Sequence, residues 1–254
     1  MTITFLGTGT SQGVPVIACD CPVCTSSNGK DNRLRSSVLI ELDGKNIVID
    51  TGPDFRYQML RERITRLDAV LYTHSHKDHV AGLDDVRAFN RQQGGAIDIY
   101  GTAAVHEALR REFYYAFSAK RYPGVPMLNL HEITTAPFGL FGHEVVPIEV
   151  MHYMMPVLGF RIGDFTYITD AKTVSNTQIE KIVGSKVLVV NALQRDAHIS
   201  HFTLAEAVAF AERIGAEKTF FTHISHRLGL HNDVEAELPS GIHLAYDGLQ
   251  LTVL

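Results

Sequence analysis

No stretch of this 254-residue chain approaches the roughly 18 consecutive apolar residues that a membrane-spanning helix needs. Its start, MTITFLGTG, lacks the basic flank and longer apolar core of a signal peptide, so a cytoplasmic protein is expected. Positive charge is not in excess: 23 Lys and Arg against 28 Asp and Glu give a formal charge of −5. That balance excludes a basic surface wrapping nucleic acid nonspecifically and leaves any phosphate affinity to local groups. Cysteine is scarce and crowded, because Cys19, Cys21 and Cys24 are the whole complement. A secreted disulfide framework would not use three thiols so close together, whereas a metal site would. Low-complexity segments and short repeats are absent, and a chain of this length buries a full core alone, so one domain is expected.

The residues present read as strands and amphipathic helices. Residues 2–6 alternate as a half-buried strand, and the glycines and hydroxyls of 7–13 mark a loop. Residues 37–42 and 45–50 are apolar runs joined by Asp43-Gly44, whose tolerance of positive φ signals a hairpin. A helix is expected over 53–63, a strand over 68–73, a polar loop carrying histidines, a helix over 82–90, a strand over 97–100 and a helix over 102–113. Later strands are expected at 144–150, 158–162 and 165–169, the last two around Gly163-Asp164, then a helix at 175–182. Residues 187–191, 203–214 and 218–222 form a strand-helix-strand unit, with Thr203 and Glu206 spaced as a capping box. Asp247-Gly248 suggests a closing hairpin. Two strand-rich halves with interleaved helices predict an α/β four-layer sandwich, helices outside two packed sheets, rather than a doubly wound parallel sheet.

His74-Ser75-His76-Lys77-Asp78-His79 packs four metal-ligand side chains behind an apolar strand, a density suited to zinc, manganese or iron. His74 and His76, two apart at a strand end, point the same way and can share one ion, while a chain turn lets Asp78 and His79 face a second. Asp50 either orients a ligand histidine or caps its strand end. Preceded by Asp50-Thr51-Gly52, the run Thr73 to His79 resembles the HxHxDH signature of the metallo-β-lactamase superfamily, and His152, Asp170 and His223 follow in that family's order. The resemblance implies an αββα sandwich with two divalent ions, Zn2+ or Mn2+, at one edge between the sheets. It puts His74, His76 and His152 on one ion, Asp78, His79 and His223 on the other, and Asp170 between them. For the third histidine, spacing leaves His143 open beside His152. Such ions lower the pKa of water towards about 7, so hydrolysis by a metal-bridging hydroxide held near Asp78 and Asp170 is expected, and paired ions suit an in-line phosphoryl displacement. A purely structural metal module would not need an open position for hydroxide.

Cys19, Cys21 and Cys24 supply three thiolates where a closed structural zinc needs four ligands, and His226 is the candidate fourth. The CxCxxC loop, Gly82-Leu83-Asp84-Asp85-Val86-Arg87 and His223-Ile224-Ser225-His226 together resemble the phosphoribosyl cyclic phosphodiesterases of phosphonate degradation. That family is itself similar to the type Z tRNA 3′-processing endonucleases. The resemblance implies a small cyclic phosphodiester as substrate, a separate structural zinc, and a homodimer. It also makes His201 a substrate-contacting residue, which an imidazole near its ordinary pKa could serve as general acid or hydrogen-bond donor; His198 competes for that role. His106, His131, His143, His231 and His243 read as ordinary polar residues, and Arg33, Arg35, Arg87 and Lys172 as candidate phosphate binders. A tRNA endonuclease would want a basic arm, but residues 114–143 carry only Lys120 and Arg121 as fixed positive charges, so nucleic acid is not the expected partner. A lactone or thioester remains the other substrate class this scaffold could serve.

Overall fold

The structure is a computed structural model that describes residues 1–120 and 122–253, so Arg121 of the weakly basic segment lies outside it. The first half runs β1 (Thr2–Gly7), β2 (Ser37–Leu42), β3 (Lys45–Ile49), α1 (Phe55–Arg61), β4 (Ala69–Leu71), α2 (Lys77–Val80), α3 (Arg87–Gln93) and β5 (Ile97–Gly101). Then come α4 (Ala103–Glu112), α5 (Tyr114–Phe117), β6 (Leu128–Glu132), β7 (Phe138–Leu140), β8 (His143–His152), β9 (Met155–Ile162) and β10 (Phe165–Tyr167). The chain closes with α6 (Asn176–Ile182), β11 (Val187–Asn191), α7 (Leu204–Ile214), β12 (Lys218–Thr222), α8 (His231–Glu237), β13 (Ile242–Leu244) and β14 (Gln250–Thr252). The strands form two seven-stranded sheets, ordered β14-β1-β2-β3-β4-β5-β6 and β13-β12-β11-β10-β9-β8-β7.

Side-chain alternation decides which layer each residue joins, because successive Cβ atoms leave a strand on opposite faces. Ile47 and Ile49 of β3 and Leu158, Phe160 and Ile162 of β9 meet in the core between the sheets. Val48 points out against Phe55 of α1 and Leu109 of α4, while Leu188 and Val190 of β11 point out against Ile179 of α6 and Phe210 of α7. Three apolar layers thus separate four structural ones, the αββα sandwich expected. Asp43 and Gly44 both have positive φ (48° and 74°) in the β2–β3 hairpin, as the Asp-Gly signal requires. Thr203 caps α7 with Glu206 answering it, so the capping box is present.

Some expectations are corrected. Asp247-Gly248 is no hairpin: β13 pairs with β12 and β14 with β1, so this turn carries the chain from one sheet to the other. Its carboxylate is used instead, accepting from Thr8 Oγ1, Leu34 N and Arg61. The histidine motif is not all loop, since α2 begins at Lys77 inside it. The hairpin before β10 is longer than its apolar stretches suggest, with β8 reaching His152 and β9 starting at Met155.

Two glycines seat that motif. A Cβ on Gly52 would come within 2.1 Å of the Asp78 carbonyl oxygen, and one on Gly82 within 2.2 Å of the Gly52 oxygen. Thr51 N donates to His79 O and Gly82 N to Thr51 O, so backbone meets backbone with no room for a methyl group. Gly52→Ala is therefore expected to destabilise the protein by roughly 1–3 kcal/mol, read as a lowered denaturation midpoint; an unchanged midpoint would mean that the contact relaxes freely.

Candidate metal centre and active site

The candidate residues gather at one edge of the sandwich because each lies at or just past the C-terminal end of a strand. Asp50 follows β3, His74 to His79 follow β4, His152 ends β8, Asp170 follows β10 and His223 follows β12. Leu158 N donates to Thr73 O across the gap, tying the two sheets together at this edge. Asp50, Asp170 and His223 all have positive φ (64°, 57° and 56°), a region costly for most side chains and tolerated best by Asn, Asp and His. Each sharp turn costs folding energy where it aims a side chain inward.

The rings of His74 and His76 lie 4.6 Å apart, those of His74 and His79 4.1 Å, and those of His76 and His152 5.2 Å. Asp170 Oδ2 is 3.3 Å from His79 Nε2 and 3.4 Å from His223 Nδ1, and Asp78 Oδ2 is 3.1 Å from His79 Nε2. Donor atoms within 4.8 Å of one another fall into the groups His74, His79, Asp170; Asp78, His79, His223; and His152, Asp170, His201. Asp170 and His79 each belong to two of these. His76 enters none, although its ring sits between those of His74 and His152. His143 is not brought to the site: it bonds Asp43 at 2.8 Å from the opposite end of β8, which leaves His152.

Contacts beyond the cluster set which nitrogen faces inward. Asp50, fully buried, accepts from His79 Nδ1 at 2.7 Å, from Thr73 N at 2.9 Å and from Thr73 Oγ1 at 2.8 Å. With that hydroxyl proton committed to Asp50, Thr73 Oγ1 accepts from His74 Nδ1 at 2.9 Å. His152 Nδ1 faces the Asp170 and Ser200 carbonyls at 3.1 and 3.0 Å and must be the protonated nitrogen. His74, His79 and His152 therefore all keep Nε2 for a ligand. The Nε2 atom of His74 is buried without a hydrogen-bond partner, while that of His79 lies 3.1 and 3.3 Å from the Asp78 and Asp170 carboxylates. An orphan such as His74 Nε2 is costly, and a cation ligated there would remove the cost, so the residues fit the implied ions.

Charge points the same way. Burial disfavours a charged His79, but Asp170, Asp50 and Asp78 outweigh it and hold its pKa well above the usual histidine value. His74 goes down through burial and the charge of His79. Burial would raise Asp170, yet His223 and His79 keep it well below the usual carboxylate range. Metal-free protein thus holds a proton on His79 that a cation must displace. Metal uptake is expected to release that proton and to weaken as pH falls, measured by titration calorimetry in buffers of different ionisation enthalpy. Uptake with no buffer dependence would remove His79 as a ligand.

His201 sits over the cluster, 3.8 Å from Asp170 Oδ1, edge-on to His152 at 4.6 Å and stacked on His223 at 4.9 Å. Burial and His223 push its pKa down to about 3, so in this state it is a neutral N–H donor, not the near-ordinary imidazole expected from sequence. His198 lies at its side, ring centroids 5.1 Å apart. The candidate phosphate binders are engaged elsewhere. Arg33 is buried on Thr8, the Ala245 carbonyl and His231, Arg35 pairs with Asp54, Arg87 with Asp84 and Lys172 with Glu206. Thr73 and the Ser200 carbonyl were not singled out by sequence, and only adjacency to ligand positions hinted at them.

The cysteines converge on one nitrogen. Sγ of Cys19, Cys21 and Cys24 lies 3.3, 3.4 and 3.5 Å from His226 Nδ1. A tetrahedron with zinc–sulfur and zinc–nitrogen lengths of about 2.3 and 2.0 Å has mixed edges of about 3.5 Å, so these four atoms fit a zinc ion. The Cys24 N–H holds the Cys21 thiol down to about 6, while burial pushes Cys24 up to about 11. Cys21→Ser is expected to lower zinc content by about one ion per chain and to reduce the melting temperature. Unchanged metal content and melting would refute this site.

Residues 45–224 match the family model for the beta-lactamase superfamily domain. A solved structure described as a new diphosphatase from the PhnP family is 41% identical, with a TM-score of 0.94 over 100% of this chain and 98% of that one. A protein of Porphyromonas gingivalis named octanoyltransferase is 40% identical over 100% of this chain and 52% of its own length. A ribonuclease Z of Nostoc punctiforme is 27% identical over 65% of this chain and 47% of its own. The chain spans about half the length of these curated relatives.

Proposed function

The chain belongs to the beta-lactamase superfamily, and we propose that it is a metal-dependent hydrolase of a small phosphorylated substrate, cleaving a cyclic phosphodiester such as a phosphoribosyl 1,2-cyclic phosphate. The observation that carries this reading is the placement of Asp170. It shares one donor group with His74 and His79 and another with His152 and His201, lies 3.4 Å from His223, and has the neutral His201 3.8 Å away. His74, His76 and His152 would hold one ion and Asp78, His79 and His223 the other, with Asp170 shared. When bound, the ions supply an acidified water and positive charge for the phosphoryl oxygens. Asp78 and Asp170 would accept hydrogen bonds from that water and orient it toward phosphorus. His201 donates N–H to a phosphoryl oxygen. The approaching anion raises its proton affinity, readying it to protonate the departing sugar oxygen.

A second reading, cleavage of a diphosphate, is favoured by the 41% identity to a PhnP-family diphosphatase. The two differ in the leaving group, since an alkoxide needs a proton from His201 and a phosphate leaves without one. The test reloads chelated protein with zinc or manganese and offers ribose 1,2-cyclic phosphate, a nucleoside diphosphate, precursor tRNA, a lactone and octanoyl thioester. Metal-restored cleavage of the cyclic phosphate, with His201→Ala losing roughly 10² to 10⁴ of turnover, is the expected result. Preference for the diphosphate with little dependence on His201 would establish the second reading. Cleavage of only lactone or thioester would overturn both.

A further inference from the structure

The donor groups at the catalytic edge hold one member that neither prospective ion has claimed. Ligand atoms of His152, Asp170 and His201 lie within 4.8 Å of one another, whereas His76 belongs to no such group. Asp170 divides its oxygens between two sides. Oδ2 is the atom near His79 and His223, at 3.3 and 3.4 Å, and Oδ1 is the atom 3.8 Å from His201 Nδ1. That nitrogen is buried without a hydrogen-bond partner, and 3.8 Å is too long for Asp170 to be one.

The backbone fixes the ring from both sides. The Ser200 carbonyl accepts from His152 Nδ1, and Phe202 N donates to the carbonyl of Ala171, the residue after Asp170. What this place accepts follows from counting lone pairs. With its Nδ1 proton given to two carbonyls, His152 can bring only a lone pair, at Nε2. Asp170 brings another at Oδ1, and His201 a third at Nδ1 when its proton is on Nε2. A water molecule has two protons for three acceptors and leaves one unsatisfied, whereas a cation serves all three. Metal bonds of about 2.0–2.2 Å let donors up to about 4.2 Å apart share one ion, so the 3.8 Å between Oδ1 and Nδ1 is within reach.

We propose that His201 is itself a ligand of the resting metal centre, sharing an ion with His152 and Asp170 through Nδ1. This ligation rests on the metal reading of the edge and not on any substrate. It closes a coordination position that a substrate oxygen needs. Under the phosphoester reading a phosphoryl oxygen replaces Nδ1, so that one metal–nitrogen bond breaks as one metal–oxygen bond forms and no proton moves. The released ring keeps its Nε2 proton for the departing sugar oxygen, and a single tautomer serves both roles.

The test titrates metal-free full-length protein with manganese, which prefers oxygen and nitrogen ligands and so reports the catalytic edge rather than the cysteines. His201→Ala is expected to weaken one bound ion by roughly ten-fold or more. His198→Ala should stay close to wild type, since His198 is in no donor group among the described residues. Weakened uptake with unchanged melting of the metal-free protein supports ligation. If His201→Ala also lowers that melting temperature, free imidazole decides: restored affinity supports ligation, and unrestored affinity overturns it. Wild-type affinity in His201→Ala overturns the proposal and leaves His201 as a substrate contact only, with the hydrolase reading intact. Wild-type protein that takes up no manganese at this edge would overturn the proposal together with the metal reading on which it rests.

Discussion

The buried carboxylate of Asp50 is the interaction on which the rest of the site depends. One oxygen takes the Thr73 N–H and the other takes the Thr73 hydroxyl and His79 Nδ1, so a single side chain fixes the strand end, the first histidine through Thr73, and the last histidine of the motif directly. Burial raises its pKa, and the charge of His79 with the bonds from His79 and Thr73 offsets part of that rise. Asp50 is itself held at φ 64° by the turn after β3, with the Ser37 hydroxyl donating to its carbonyl. A folding cost at one residue is thereby converted into the orientation of two imidazoles.

Charge balance explains why these groups suit a cation. Asp50, Asp78 and Asp170 surround one protonated histidine, while His74 and His223 are held down by burial and Asp170 is held ionised. Buried carboxylates and neutral imidazoles with inward-facing lone pairs repel unless positive charge lies among them. A proton on His79 serves in part, and two divalent ions would serve fully, which makes metal affinity and electrostatic strain two sides of one arrangement.

How much of this was legible in the sequence varies with the source of the constraint. Alternation in β3, β9 and β11 and the capping box of α7 are local rules, and the structure keeps them. β6 reads poorly because its residues are only partly buried or exposed, and β7 and β13 are three residues each, too short to show a period. The Asp-Gly turn at 247–248 misled because the same dipeptide that suits a hairpin also suits a crossover between sheets, and only the partners of β13 and β14 tell them apart. The candidate ligands were legible from their density after β4, yet which of His152 and His143 joins them depended on which end of β8 faces the edge. The cavity beside His74 was invisible, since β6, β8, β9 and α4 each contribute a piece of its wall.

The cysteine cluster and the catalytic edge are coupled through very little chain. His226 follows His223 by three residues, and between them Ile224 bridges to Gly9 in the loop after β1, which also bridges to Arg35. The same loop region is anchored from below by Arg33, whose guanidinium reaches Thr8, the Ala245 carbonyl and His231, while the His231 N–H donates to Asp31. Burial lowers the Arg33 pKa only to about 10, so it stays charged between Asp31 and Asp247 at neutral pH. These bonds close a ring: Arg33 fixes the base of the Cys loop, a zinc on Cys19, Cys21, Cys24 and His226 would fix its tip, and His223 lies on the segment between. An ion at the cysteines would therefore bear on the position of His223, whose turn at φ 56° lies three residues from His226.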